Sequence, residues 1–364
     1  MTINMITTNR SCVLLRSLTV EIRDMPVPPV GDDDVLVKVE ATGICGSDLH
    51  TYSHGGVGHN FIKEPQVLGH ESAGTIVKVG PNVVHLKVGD RVAIEPTRFC
   101  RKCYNCRIGK TNVCRFFKQA SMPGNPGTLS QYFACESDLA VQIPSSLSWE
   151  EAGCIQPLAV AVQLAKRARF SGGQTLAIFG CGPLGCMVIA VAQAFGISKI
   201  LAFDILQKRV EFAKGFGADY VSVVPPKPEG KGYHEWAEAW KVSALAEAGV
   251  DSWGVDVVVE ASGAEAAMHA GMSFVHMGGT YVQAGLGQAV TPFPMFSIVA
   301  KEIDVIGTVR YTAGCYQAAI DLMSKKRIDL RPMITATFPL TRSVDALEAV
   351  RKGDDLKVVI MNQQ

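Results

Sequence analysis

No stretch of this 364-residue chain is apolar for long enough to cross a membrane, which takes about 20 residues as a helix. The opening residues, MTINMITTNRSCVLLRSL, lack the apolar run of a secretory signal. Charge of one sign is also scarce. The 35 basic residues nearly balance the 34 acidic ones, leaving a formal net charge of +1, and they are spread along the chain. That excludes the basic surface of a nucleic-acid-binding protein. There is no internal repeat and no low-complexity tract. These absences predict a cytoplasmic protein with neither membrane nor nucleic acid as a partner.

Cysteine, by contrast, is plentiful, with eleven residues, an odd number. Without an export signal a disulfide framework is not expected, and clustered cysteines in a reducing compartment point to metal. Four of them lie in CRKCYNCRIGKTNVC, as Cys100, Cys103, Cys106 and Cys114. Two CxxC steps and a return cysteine supply four soft thiolates for a tetrahedral zinc ion. A closed four-thiolate site leaves no position for substrate, so this zinc is expected to be structural. Arg101, Lys102, Arg107 and Lys110 either offset the thiolate charge or belong to a solvated loop.

The length accommodates two domains of roughly 150 residues, and with 48% hydrophobic residues the chain can bury a large core. In the second half, apolar runs such as QTLAIFG, KILAFD and DVVVEASG alternate with helical stretches such as PLGCMVIAVAQAFG and AEAAMHAGMSFVHM. This alternation predicts an α/β fold, a doubly wound parallel sheet of the Rossmann type. PPKPEGKGYHEW, Pro225 to Trp236, reads as a surface connection.

The first strand-to-helix turn carries GCGPLG, which puts Gly180, Gly182 and Gly185 in GxGxxG spacing. The first glycine permits a tight turn, the second lets a pyrophosphate approach the backbone, and the third allows close helix packing. Nineteen residues after Gly185, at the end of the next apolar run, stands Asp204. A carboxylate there accepts from ribose hydroxyls and repels a 2′-phosphate, which favours NAD over NADP. Arg209, one helical turn on, either stacks on the adenine or pairs with Asp204.

The first half reads as β-rich, with alternation in DVLVKVEATGIC and GTIVKVG. GICGSDLHTY offers Cys45, Ser47, Asp48 and His50, and VLGHESAG offers His70 and Glu71. A cysteine, a histidine and a carboxylate can make a three-ligand zinc site with one position open. Singly, each residue could be structural, and Glu71 could serve only as an ion pair behind His70. His70 and Glu71 are adjacent and would point to opposite faces of a strand, so sharing an ion requires a turn there, which Gly69 permits.

GICGSDLH, VLGHESAGTIVKVG, VGDRVAIEP, the four-cysteine segment and GCGPLG occur in the order seen in zinc-dependent medium-chain dehydrogenases. The chain resembles that family along essentially its whole length. RFFKQASMPGNPGTLSQYF, GTVRY and MITATFPL are similar to its sorbitol, xylitol and L-arabinitol dehydrogenase branch. The resemblance implies a GroES-like catalytic domain over 1–157, with the zinc lobe at about 99–115. It implies a Rossmann NAD-binding domain over 158–309 and a segment, 310–364, that completes the catalytic domain. It assigns Cys45, His70 and Glu71 to a catalytic zinc, and Ser47 and His50 to a proton relay. Leu184, Asp204, Arg209, Ala284, Gly285, Leu286, Thr308, Val309 and Arg310 match NAD-contacting positions, and Arg310 also matches a substrate-contacting arginine. The implied cofactors are two zinc ions, one catalytic and one structural, with NAD.

The expected activity is hydride transfer between a polyol secondary alcohol and NAD, giving the ketose, in a homo-oligomer of tetramer type. AGCIQPLAV departs from the branch: Gln156 stands where it usually has glutamate before proline. Gln156 is a poor zinc ligand, which makes Glu71 the more necessary, and its neutrality should leave the zinc a stronger Lewis acid. It also keeps open a dehydrogenase for another secondary alcohol. A non-catalytic nucleotide-binding protein is the remaining alternative from a different class.

Overall fold

In a computed structural model of the chain, which describes residues 8–364 apart from His59, the alternating run DVLVKVEATG forms the strand Asp34–Gly43. This strand is central to a seven-stranded sheet. The strands run in the order Ala140–Gln142, Arg91–Ile94, Glu71–Val79, Asp34–Gly43, Lys357–Met361, Ile334–Pro339, and Tyr132–Glu136 also pairs with Asp34–Gly43. All neighbours are antiparallel except the last two on the main path, Lys357–Met361 and Ile334–Pro339. The chain divides into two units, Met1–Ala159 with Thr312–Gln364, and Val160–Tyr311, and this sheet belongs to the first.

The C-terminal strand enters the sheet beside its centre, with Val359 opposite Gly43 and Met361 opposite Ala41. A buried polar network reinforces that junction. Thr42 Oγ1 lies 2.7 Å from Ser72 Oγ and donates to Asn362 Oδ1 at 2.9 Å, and Ser72 Oγ donates to Thr128 Oγ1 at 2.6 Å. Because these groups are cut off from water, their mutual pairing specifies how the four segments meet.

The second unit holds a six-stranded sheet, parallel throughout. Its order is Tyr220–Val223, Lys199–Asp204, Thr175–Phe179, Val255–Glu260, Val275–Gln283, Asp304–Gly307. That is the doubly wound order 3-2-1-4-5-6, which reverses beside Thr175–Phe179. The near-continuous burial of TLAIF, KILAFD and VDVVVE follows from helices on both faces. On one face Phe203 packs 5.0 Å from Phe179, 5.1 Å from Phe274 and 5.2 Å from Trp240, between ring centres. Such aromatic pairs add about 0.5–1.5 kcal/mol each beyond burial.

Two local expectations are corrected. The helical run ends at Phe274, and Val275 to Met277 open the next strand, because Val275 pairs with Val255. The surface connection stops short of Tyr233, where the helix Tyr233–Ala248 begins and buries Trp236. Gln156 lies in the first turn of the helix Ile155–Ala168. Among the described residues no helix is long and apolar enough to cross a membrane.

Candidate functional site

Cys45 caps the helix Gly46–His54, and its backbone N–H donates to Asp48 Oδ2 at 3.3 Å. The capping bond turns the chain just after the strand Asp34–Gly43 and holds the Cys45 side chain at the strand end. Gly69, at φ +90°, supplies the turn before His70 and Glu71; a side chain there would press on Leu129. The turn brings the two adjacent residues to one side. The Cys45 sulfur, a His70 ring nitrogen and a Glu71 carboxylate oxygen all lie within 4.8 Å of one another.

The surroundings suit a cation. His70 and Glu71 are 5% and 2% exposed. Asp48 Oδ1 sits 3.4 Å from His70 Nδ1, an ionic contact, and Nδ1 makes no hydrogen bond among the described residues. Asp48 is itself buried and accepts from Gly69 N and Ser121 Oγ, at 3.2 and 3.0 Å. Burial pushes the Asp48 carboxyl up, but His70 and the backbone N–H groups of Gly69 and Cys45 outweigh it and hold it below the usual range. Burial opposes a charge on His70, yet Asp48 and Cys45 outweigh it and raise the imidazole well above its ordinary value. An imidazole backed by a carboxylate, beside a thiol and a second carboxylate, is the donor set of an open zinc site. These residues fit the metal.

Ser47 is half-buried and His50 exposed, three residues apart on the helix Gly46–His54. That spacing puts them on one helix face. Gln156 is 9% exposed. Cys154 is fully buried, its thiol pushed up to about 12 by burial, and it is not in the three-residue group.

The other cluster is Cys100, Cys103, Cys106 and Cys114, whose sulfurs also lie within 4.8 Å of one another. Backbone N–H groups of Cys103 and Phe116 point at the Cys100 and Cys114 sulfurs, at 3.3 and 3.4 Å. N–H groups of Cys106 and Arg115 draw the Cys103 thiol down to about 6. Four thiols pre-oriented by backbone donors fit a closed zinc site. The Arg101 guanidinium pairs with Glu136, at 2.7 Å, and with Asp138, while its backbone N–H serves the Cys106 sulfur.

In the second unit GCGPLG follows Thr175–Phe179 and opens the helix Pro183–Ala194. Gly180 is at φ +99°, and a side chain on Gly185 would strike the Gly180 carbonyl at 1.9 Å, whereas one on Gly182 would meet nothing within 4 Å. The open space at Gly182 beside a helix N-terminus suits a phosphate. Leu184 is half-buried on the first turn of that helix. Asp204 Oδ2 accepts from Cys181 N at 2.8 Å and Oδ1 from Leu206 N at 3.0 Å, so the carboxylate braces the glycine turn. Arg209 Nη1 lies 3.9 Å from Asp204 Oδ2.

The remaining positions come from two other strand ends. Ala284 N and Gly285 N both donate to Glu260 O at 2.8 Å, and Leu286 is exposed. Thr308 N donates to Gln283 O at 3.2 Å, while Thr308 Oγ1 is buried with no partner among the described residues. Val309 is 43% exposed. Arg310 takes a left-handed conformation, φ 53°, uncommon for a non-glycine residue, and partial burial lowers its pKa. An unpartnered hydroxyl near the glycine turn's sheet and the open phosphate position fit a dinucleotide.

Two residues differ from what the sequence suggests. Asp48, offered as a possible ligand, stands behind His70. Lys357 belongs to no motif, yet its Nζ reaches Glu71 Oε2. The available signal was a lysine opening the otherwise apolar strand KVVIM.

Residues 31–145 match the alcohol dehydrogenase GroES-like domain and residues 183–325 the zinc-binding dehydrogenase domain. D-xylulose reductase A of Aspergillus oryzae is 40% identical over 359 residues, covering 97% of this chain and 96% of that protein. The solved structure of L-idonate 5-dehydrogenase from Escherichia coli superposes with a TM-score of 0.87 at 28% identity, covering 98% of each chain. A structure from Escherichia coli CFT073, called a short chain alcohol dehydrogenase and complexed with NADH, gives a TM-score of 0.86 at 26% identity, covering 98% and 99%.

Proposed function

This chain belongs to the polyol branch of the zinc-dependent medium-chain dehydrogenases, and we propose that it interconverts a polyol secondary alcohol and its ketose with NAD as the hydride acceptor. The observation that carries this reading is the convergence of Cys45, His70 and Glu71 within 4.8 Å, on a turn that only Gly69 permits. The similarity to D-xylulose reductase A supports a xylitol-type substrate.

Cys45, His70 and Glu71 would hold the catalytic ion, and Cys100, Cys103, Cys106 and Cys114 the structural one. A zinc ion held by the first set supplies Lewis-acid stabilisation of negative charge on the alcohol oxygen. Asp48 fixes the orientation of His70. Ser47 takes the alcohol proton and passes it to His50, whose exposed ring releases it to solvent. Gly182 leaves room for the pyrophosphate of NAD on the turn that Gly180 and Gly185 make possible, and Asp204 would accept from the ribose hydroxyls with Arg209 beside it. The Ala284–Leu286 and Thr308–Arg310 segments would contact the rest of the cofactor, and Arg310 the substrate hydroxyls.

The division into 1–157, 158–309 and 310–364 belongs to this proposal, as does a cytoplasmic setting, which eleven free cysteines support. So does assembly into a homotetramer, supported by exposed apolar side chains on the strand Asp304–Gly307 and on the helix Met295–Lys301 before it. Gln156 supports a second reading within the same reaction class, a secondary alcohol other than a simple polyol. The test is a panel of xylitol, sorbitol and arabinitol with NAD and with NADP, alongside zinc analysis. Two zinc ions per chain and an NAD-dependent rate on at least one polyol are expected. Cys45→Ser should leave one zinc and no turnover while NADH still binds. No rate on any polyol would reject the substrate class; full activity in Cys45→Ser would reject the metal's role.

A further inference from the structure

A lysine is among the costliest side chains to bury, and Lys357 is 2% exposed. It opens the strand Lys357–Met361, in which every other residue is apolar. Its ammonium has two partners. Nζ donates to the carbonyl of Ile44 at 2.9 Å and to Glu71 Oε2, in a contact that spans 286 positions of sequence. The next residue adds a third tie, because Val358 O accepts from Ile44 N at 2.9 Å. Ile44 is the residue immediately before Cys45. Lys357 therefore joins the two segments that bear the candidate ligands, one through its backbone and one through its carboxylate.

The surrounding chain makes room for this contact. Gly43 pairs with Glu71 on one side and Val359 on the other. A Cβ on Gly43 would lie 2.6 Å from Glu71 Oε2, 2.6 Å from the Gly153 carbonyl and 2.9 Å from Lys357 Cε. The missing side chain at 43 is the slot in which the carboxylate and the lysine stem meet.

We propose that Lys357 is a positioning residue for the metal site: it grips one oxygen of Glu71 and the carbonyl preceding Cys45, leaving the second Glu71 oxygen to the ion. This rests on the reading of Cys45, His70 and Glu71 as metal ligands. A carboxylate with one oxygen anchored cannot swing, so its metal-facing oxygen is pre-oriented, as outer partners of metal ligands generally act. The opposite role makes the opposite prediction. A lysine that merely competes with the ion for Glu71, or repels it by charge, would weaken binding, and its removal would tighten it.

The test measures zinc retained by the full-length protein during dialysis against increasing chelator, for the wild type, Lys357→Met and Lys357→Gln. Loss of an outer partner typically weakens a metal site about 10–100-fold. Lys357→Met should therefore fall from two zinc ions to one at chelator levels where the wild type keeps both, with the four-cysteine ion retained. Lys357→Gln keeps a donor for the carbonyl and should lie between them. NADH binding and the thermal melt report whether each variant folds; if the methionine variant does not, the glutamine variant decides. A lower melting temperature with unchanged zinc retention means a structural lysine only and overturns the proposal. Tighter retention also overturns it, in favour of competition. A wild type that holds one zinc would instead defeat the metal reading itself, and the proposal with it.

Discussion

Glu95 follows the strand Arg91–Ile94 and lines a cavity of about 250 Å³ with Asp34, Arg98, Lys118 and Glu136. Burial raises its carboxyl from an ordinary 4.5 to about 7, and Asp138 adds to the rise. The nearby guanidinium of Arg98 is committed to Glu136 at 2.5 Å. The folded chain thus binds this proton more tightly than the unfolded one. Its contribution to stability is complete below about pH 4.5 and is lost as pH rises through about 7. At about 1.4 kcal/mol per tenfold change in proton affinity, the loss is at most about 3 kcal/mol. Glu95→Gln removes the titration. The two melting curves should nearly coincide at pH 5, and the variant should melt several degrees higher at pH 8, at roughly 2–4 °C per kcal/mol. A constant offset between wild type and variant across that range would show that Glu95 does not titrate between the two pH values.

The four-cysteine lobe has little packing of its own. Neither the short helix Tyr104–Arg107 nor the turn Thr111–Val113 contains a buried residue. What can hold it is metal at the sulfurs and the ion pairs of Arg101 with Glu136 and Asp138, and exposed pairs contribute little. Cys106→Ser should therefore unfold the lobe alone. Trypsin should cut after Arg101, Lys102, Arg107 or Lys110 at doses that spare the wild type, as mass mapping of the fragments would show. Equal protection would mean that the metal does not hold this element. The lobe is legible in the sequence because its four ligands lie within fifteen residues, from Cys100 to Cys114. TLAIF, KILAFD and VDVVVE were legible for a similar reason: burial on both faces leaves an unbroken apolar run. Where the pattern failed, a distant segment decided. Val275 leaves the helix because Val255 pairs with it. Cys45 and His70 are 25 positions apart; their residue types allow a shared ion and the family resemblance assigns it, but no local spacing records it. Glu71 and Lys357 are linked by a sheet, and no local pattern records that.

For the whole molecule, the strand Asp304–Gly307 ends the parallel sheet and, among the described residues, has a neighbour on one side only. Its backbone edge is an unfilled template, and proteins that leave such an edge bare usually guard it with charge or cover it. Here the strand carries one charge, Asp304, paired with Arg169 at 3.4 Å, and several exposed side chains on and before the strand are apolar. Val305 is 42% exposed on the strand itself, and Phe296, Val299 and Met295 on the helix Met295–Lys301 are 83%, 81% and 64% exposed. Apolar exposure on and just before an edge strand favours a twofold contact, in which the same strand from a second copy continues the sheet. Val305→Lys places a charge on the strand and Phe296→Asp one on the helix. The doubly substituted protein should elute at a smaller mass than the wild type by light scattering, while NADH still binds, since neither residue belongs to the glycine turn or to the Thr308–Arg310 segment. An unchanged multi-chain mass would move the interface elsewhere, and a wild type of single-chain mass would remove the assembly from the account.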